Sequence, residues 1–521
     1  MEKALTTALA HLGAGRLGEA EALCQAILAR RPKEVAALHC LGLVALQGGK
    51  PDRAVAFLGR AASLTPADPA VLSNLGSARR AAGQLDEAVA AFNAALKIDP
   101  RAGETLFNLG NALGALRRHA EAEQAYRRAI AAGNCRQGGA AVYCNLGLLL
   151  EERGAIDEAI AAYRQAVQRR PEFAEYHYNL GNALRAKLAL DEAVAAYDRA
   201  LMLRPDYPEA RMNQSLAFLL KGDFARGLEG YEARRLTPEA EQRGFSAPLW
   251  RGEALVQRCL LLHAEQGFGD TIQLLRYLPV LDAYGGRIVV EVQPALRALV
   301  DAKVRRDALA SVEVRSRGEA LPSFDCHLPM MSLARILGIA SKAVPVRTPY
   351  LWPNSQAAAY WQTRLGAGGV ARVGLVWAGN PHHRNDRNRS IQPAQLAPLV
   401  EGSLFGTNSR QFFSLQVGAA ATGISVFPAG SITDLSPFLH DFAETAAALT
   451  ALDLIITVDT SVAHLAGALG RPVELLLPYA PDWRWMLDRS DSPWYPTMRI
   501  HRQKIPGDWA GVISGLAAEF R

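Results

Sequence analysis

The sequence predicts two fold classes in series: an all-α helical solenoid, then an α/β region built from two parallel-sheet halves. Three observations carry that prediction. Residues of one kind recur at a fixed step of 34 through the first 235 positions. A stretch containing Pro238, Gly244 and Pro248, without periodicity, then separates this half from the rest. Beyond it, short apolar runs alternate with helix-period segments, the pattern of parallel strands joined by helices.

The repeats come first. Alanines stand at Ala20, Ala54, Ala88, Ala122, Ala159 and Ala193, a step of 34 broken once by three extra residues around Gly138-Gly139. Asn74, Asn108, Asn145, Asn179 and Asn213 hold the same phase, as do Leu75-Gly76, Leu109-Gly110, Leu146-Gly147 and Leu180-Gly181. Four residues after four of the alanines comes an aromatic: Phe92, Tyr126, Tyr163 and Tyr197. Pro32, Pro66, Pro100, Pro171 and Pro205 close the units, because proline cannot continue a helix. Small residues belong where paired helices approach closely, and the aromatic fills the gap between neighbouring units. The pattern resembles the tetratricopeptide repeat, a 34-residue helix–turn–helix. It covers about residues 2 to 235, with a degenerate last unit, Gly222 to Tyr231, expected as the final cap. The resemblance implies a concave surface that binds a partner.

Composition narrows the function classes. No apolar run reaches the roughly 18 residues that a bilayer span requires. The opening MEKALTTALAHL lacks a long apolar segment and a small-residue cleavage site, so no secretory signal is expected. Cys24, Cys40, Cys135, Cys144, Cys259 and Cys326 lie far apart without C-x-x-C spacing and are expected as reduced thiols in a cytoplasmic protein. A net charge of +6 over 521 residues suits an anionic ligand better than nucleic acid, which calls for a denser Lys/Arg stripe.

The α/β elements follow in order. Cys259 to Ala264 reads as a strand, then Glu265-Gln266-Gly267-Phe268-Gly269-Asp270-Thr271 opens a helix over Ile272 to Leu281. Gly267 and Gly269 let backbone approach a ligand, and Asp270 or Thr271 can cap the helix. Gly285-Gly286 turns into a strand, Arg287 to Val292, and Pro294 opens another helix. A second half starts near Arg372 with the strand Val373 to Ala378 and the polar loop GNPHHRNDRNRSI. Phe412 to Leu415 and Leu454 to Val458 are further strands. Asp459-Thr460-Ser461 caps the helix Val462 to Leu469, and Val473 to Leu477 is the next strand. Parallel sheets bind ligands beyond the carboxyl ends of their strands, where helix N-termini offer N–H groups to anions.

Two Rossmann-like halves in tandem form the GT-B fold of many nucleotide-sugar glycosyltransferases. The segments Gly267 to Thr271, Trp377 to Asn380 and Asp459 to Leu465 resemble the heptosyltransferase-type family of that fold over about residues 255 to 505. Ser461 stands where that family usually has Gly, and this loop is Arg-rich where the family uses Lys. The layout as a whole is similar to bacterial repeat-containing glycosyltransferases, including those thought to modify flagellin.

The resemblance implies the following expectations. The fold is an all-α tetratricopeptide solenoid followed by an α/β GT-B fold. Residues 1–235 form the solenoid, 236–254 a linker, 255–355 the acceptor-side half and 356–521 the donor-side half. The activity is inverting, metal-independent transfer of a sugar from a nucleotide sugar, which is a substrate and not a cofactor, to a Ser or Thr hydroxyl of a protein, with flagellin the foremost case. Asp270 is the candidate base, beside its plain reading as a helix cap. Arg384, Arg387 and Arg389 are candidates for the donor phosphates, since guanidinium forks match phosphate oxygens; a solvated surface turn is the plainer reading. Gly267, Gly269, Asn380, Gln416, Asp459, Thr460, Ser461 and His464 complete the donor set, with Gln416 near the nucleoside and His464 read either as a phosphate donor or as a structural histidine. Two other readings stay open: transfer to a lipid-linked saccharide, and a non-catalytic scaffold whose GT-B half has decayed. No metal motif and no cofactor site is expected, and no base or sugar of the donor is assigned.

Overall fold

The computed structural model describes residues 2–135, 139–338, 348–366, 369–383, 385–404 and 410–520. It falls into two compact units, Met1–Tyr207 and Pro208–Arg521.

The first unit is a stack of helix pairs: Glu2–Gly13 with Leu17–Arg30, Val35–Gln47 with Pro51–Leu64, Pro69–Ala81 with Leu85–Ile98, Gly103–Ala115 with His119–Ala132, Ala140–Glu152 with Ile156–Arg169, and Ala174–Ala186 with Leu190–Leu203. The phased residues have physical work at their positions. Each phased alanine is the fourth residue of a second helix and is fully buried. A methyl group on Gly76, Gly110, Gly147 or Gly181 would sit 2.7, 2.5, 2.6 or 2.7 Å from the ring of Phe92, Tyr126, Tyr163 or Tyr197. The glycine is therefore the space into which each aromatic ring fits. The buried phenols find partners, as such groups must: Tyr126 and Tyr197 donate to Asn111 and Asn182 at 2.9 and 2.8 Å, and Tyr163 to Glu151 at 3.0 Å. The phased asparagines tie repeat to repeat. Asn145 donates to Asn111 at 2.7 Å, and Asn179 donates to the Cys144 sulfur at 3.4 Å.

The second unit opens with one more helix pair, Pro208–Leu220 and Phe224–Tyr231, and a 3-10 turn, Glu232–Leu236. The sequence groups this pair with the solenoid. In the structure it belongs with the α/β region, because Phe224 packs edge-on against Trp483 and Trp494 at 6.1 and 6.2 Å.

Two wholly parallel sheets follow. The first has the order β3-β2-β1-β4, with β1 Cys259–His263, β2 Arg287–Val292, β3 Val312–Ser316 and β4 Cys326–Pro329. The second has the order β10-β9-β8-β5-β6-β7, with β5 Ala371–Val376, β6 Arg410–Ser414, β7 Ile432–Asp434, β8 Leu454–Val458, β9 Val473–Leu477 and β10 Met498–Arg502. In each sheet the chain winds outward on one side, then crosses to the other. The crossings lie between β1 and β4 and between β5 and β8, and crevices for ligands form beyond the carboxyl ends of such neighbours. Strand β1 is buried along its whole length and β8 from Ile455 onward, as apolar runs in parallel sheets must be. The helix expected over Ile272 to Leu281 is broken in three: Phe268–Leu274, a 3-10 turn Leu275–Tyr277, and Leu278–Asp282 restarted by Pro279. No helix among the described residues is long and apolar enough to cross a membrane.

Candidate functional site

The loops after β1, β5 and β8 carry all the candidate residues but Gln416, so the topology itself brings them to the strands that flank the two crossings. After β1 the chain enters the Phe268–Leu274 helix at Gly267. Asp270, the third residue of that helix, reaches back and accepts the Gly267 N–H at Oδ2, 2.9 Å away. This is the carboxylate half of a capping box; glycine has no side chain to supply the other half. The second oxygen, Oδ1, accepts from Arg484 Nη2 at 2.5 Å. Asp270 keeps 22% of its side chain exposed, so lone pairs remain for a ligand.

Arg484, from the loop after β9, organises the centre; the sequence places it in a Trp/Arg-rich segment at the rim of the cleft and not among the site residues. Its side chain is 6% exposed. Nε donates to Gln273 at 2.7 Å, Nη1 to Asp482 at 2.9 Å, and the guanidinium stacks over Trp483 at 4.5 Å. Burial works against its charge, but Asp482 and Asp270 more than offset this and hold it above the ordinary guanidinium range. The residue thus fastens the second half to the helix that carries Asp270.

After β8 come Asp459 and the helix Ser461–Ala468. Burial, together with the negative charge of Asp482, pushes the Asp459 carboxyl up to about 6, against the pull of Arg389 and Arg484. The Trp485 indole lies beside it without reaching hydrogen-bond geometry. Thr460 occupies the N-cap, yet its hydroxyl pairs with Thr457 Oγ1 at 3.1 Å and caps nothing. The first turn, beginning at Ser461, therefore has no side-chain cap on its N–H groups. His464 lies inside that helix, its Nδ1 2.9 Å from the Tyr495 hydroxyl and its ring 5.1 Å from Trp485. Burial and the positive charges of Arg484, Arg276 and Arg389 hold it well below its ordinary value, so the imidazole is neutral at pH 7. A methyl on Gly269 would lie 2.6 Å from His464 Cδ2, so the two helices that start at the two crossings touch through this glycine.

Gln416, two residues past β6, accepts the N–H groups of Trp377 and Ala378 at the end of β5, at 3.1 and 2.9 Å. Its amide is spent on holding the strand end. Asn380 is exposed and forms a turn, accepting the His382 N–H at 3.0 Å. Among the loop arginines, Arg389 faces the centre: its guanidinium lies against Gly379, it is 15% exposed, and its charge is felt at Asp459 and His464. Its Nε donates to Asp386 at 3.3 Å. Arg387 is exposed, and Arg384 lies outside the described residues. His383, in the same loop, is exposed at the surface, and partial desolvation and the positive charge of Arg389 hold it below its ordinary value. Phe268 is exposed and packs at a tilt against Phe442, with ring centroids 4.9 Å apart. Trp483, Trp485, Trp494 and Tyr495, between β9 and β10, are buried packing. Among the described residues no group of three or more His, Cys, Asp or Glu side chains could hold a metal ion.

Comparison with known proteins speaks to the helical half. Tetratricopeptide-repeat family models match residues 5–69, 68–134 and 174–207, and a TPR-repeat model matches 147–187. The protein FlbA of Caulobacter vibrioides is 27% identical over 329 residues, 58% of this chain and 53% of FlbA. The chain thus spans about half the length of that curated relative. Among solved structures, the TPR protein YrrB, described as having an unusual peptide-binding site, is 21% identical with a TM-score of 0.32, covering 35% of this chain and 93% of YrrB. MamA is 26% identical with a TM-score of 0.30, covering 32% and 95%. PilF of Pseudomonas aeruginosa is 19% identical with a TM-score of 0.36, covering 40% and 93%. The N-terminal half of the chain is built of tetratricopeptide repeats, and the protein is a distant relative of FlbA.

Proposed function

We propose that the protein is an inverting glycosyltransferase of GT-B type that moves a sugar from a nucleotide sugar to a Ser or Thr hydroxyl of a protein docked by the repeats. One observation carries this reading. A carboxylate oriented by two hydrogen bonds, Asp270, sits in one half, facing a second half that offers Arg389 and an uncapped helix N-terminus at Ser461. In the step envisaged, Asp270 takes the proton of the acceptor hydroxyl as its oxygen attacks the anomeric carbon. The bond from that carbon to the phosphate oxygen breaks, and the nucleotide leaves with the electron pair. Arg389 and the free N–H groups of the 461–468 helix meet the charge that grows on it. His464 is neutral and bonded to Tyr495, which suits holding that helix better than pairing with phosphate.

Asp459 supports a second assignment of the base. A carboxyl pushed up to about 6 is matched to proton transfer near neutral pH. Repeat solenoids present extended binding surfaces, which supports a protein acceptor, with flagellin the first to test. All six cysteines are unpaired, which fits a reducing, cytoplasmic setting.

The test is a thermal-shift screen of the full chain against UDP-, GDP-, CMP- and ADP-linked sugars. A donor at 100 times its Kd adds about 2.7 kcal/mol of stability. A chain that is stabilised by no nucleotide sugar and releases no nucleotide is a scaffold instead. Transfer to a lipid-linked saccharide with none to protein would move the acceptor class.

A further inference from the structure

The helix pair at the start of the second unit ends in Tyr231, and Arg234 follows in the next turn. Arg234 is buried and commits its whole fork. Nη2 and Nε donate to the two oxygens of Glu265 at 2.7 and 3.2 Å, Nη2 also to Ser332 Oγ at 2.9 Å, and Nη1 to Glu232 Oε1 at 3.0 Å and to the Tyr231 carbonyl at 3.1 Å. Glu265 stands two residues before Gly267, and its Oε1 also accepts the Met331 N–H at 3.1 Å. The loops after β1 and β4, which flank the first crossing, are thereby tied to one guanidinium. Tyr231 adds a second tie, its hydroxyl accepting from Gln266 Nε2 at 2.9 Å. The Gln266 carbonyl in turn accepts from Gln293 Nε2 at 2.8 Å.

We infer that Arg234 and Tyr231 are positioning residues for the candidate site: they hold the 265–267 loop in the one conformation that lets Asp270 bond Gly267 and Arg484 together. The helical pair is then the frame of the site and not the worn last turn of the solenoid. The observations favour this over plain packing, because the bonds run to the loop and not to the sheet core. Arg234 reaches Glu265 with a planar fork that lysine cannot reproduce, so Arg234→Lys keeps the charge and loses the geometry. Tyr231→Phe removes only the Gln266 bond. The inference takes Asp270 as the working carboxylate of the proposed transfer.

Two measurements on the full-length chain decide it. The first needs no ligand: backbone hydrogen exchange of wild type, Arg234→Lys and Tyr231→Phe. Both variants should speed exchange in the 265–271 segment while the 461–468 helix and the repeat helices keep wild-type protection. Unchanged 265–271 exchange in both, or a uniform rise throughout the chain, overturns the inference; Tyr231→Phe carries this arm if Arg234→Lys fails to fold. The second is hydrolysis of whichever member of the UDP-, GDP-, CMP- and ADP-linked sugar panel the wild type turns over. Arg234→Lys should lower kcat by about 10²-fold with donor Kd unchanged, the cost of a carboxylate displaced by an ångström. In an Asp270→Asn background the same substitution should cost nothing further, since the group it positions is already gone. Additive losses overturn positioning. A wild type that turns over no donor removes the transfer reading, while the exchange measurement still decides the role of Arg234.

Discussion

Asp270 and Asp459 sit in one centre with opposite surroundings, and single substitutions separate their roles. Asp270→Asn keeps the size and the bond from Gly267 but cannot take a proton. If it is the base, turnover should fall by roughly 10²–10⁴ with donor affinity nearly constant; near-normal turnover would leave it a helix cap. The same change strips a charged partner from buried Arg484 and should cost about 1.5–3 kcal/mol in denaturant unfolding, a loss a surface cap would not produce. Asp459 behaves differently with pH. Its folded-state pKa is raised to about 6, above the unfolded value. The stability it contributes is therefore present below the unfolded value near pH 4 and lost as pH rises through about 6. Asp459→Asn should leave stability unchanged near pH 4 and raise it by about 1–3 kcal/mol at pH 8, and equal effects at both pH values would refute the shift. Were Asp459 the base, the same variant would also erase an acidic limb near pH 6 in the rate profile. Arg389→Ala should weaken donor binding by roughly 1.5–3 kcal/mol in calorimetry, and unchanged affinity would take the loop out of the site.

At the scale of the element, the repeat is where sequence and structure agree most closely, and the reason is local. Gly147 and Tyr163 lie 16 positions apart on paired helices, so a fixed step records their contact directly. Gly147→Ala must force the Tyr163 ring aside and should cost about 1–3 kcal/mol by denaturant unfolding; the same change at Gly59, which has open space, should cost nothing or stabilise. Strands β1, β2, β5, β6, β8 and β9 were legible as apolar runs. Strand β7 has three residues, β4 has four and ends in proline, and β3 and β10 alternate with charge at the sheet margins, so none of these carries a buried-strand signature. The centre of the site was legible only in part. Asp270 is marked by the glycines and helix start beside it, and Asp459 by the strand end before it and the helix start after it. Arg484 finds Gln273 and Asp270 across 211 and 214 residues, a separation no periodicity encodes. Gln416 was located by its strand end, but its bonds to Trp377 and Ala378 depend on which neighbour β6 chooses.

At the scale of the whole molecule, the boundary between units decides how the docking role of the repeats must be tested. The compact units divide at Tyr207 and Pro208, whereas the repeat pattern runs on to about residue 235. Removing residues 1–207 leaves the second unit with its opening helix pair, the packing of Phe224 on Trp483 and Trp494, and the Arg234 fork. Removing residues 1–235 takes all three away. It uncovers the tryptophans around Arg484 and takes away the Arg234 fork that holds Glu265 and Ser332 together. The first truncation should therefore stay folded, keep donor affinity and slow donor hydrolysis, and lose modification of a protein acceptor, because remote binding energy that positions the acceptor hydroxyl is gone while the chemistry remains. The longer truncation should lose donor hydrolysis as well and melt less cooperatively. Calorimetric melting and donor turnover of the two truncations, side by side, distinguish these outcomes. A 208–521 chain that modified the protein acceptor at the full-length rate would show that the solenoid does not dock it. Truncations with the same melting and the same hydrolysis would show that the helix pair is dispensable to the fold it opens.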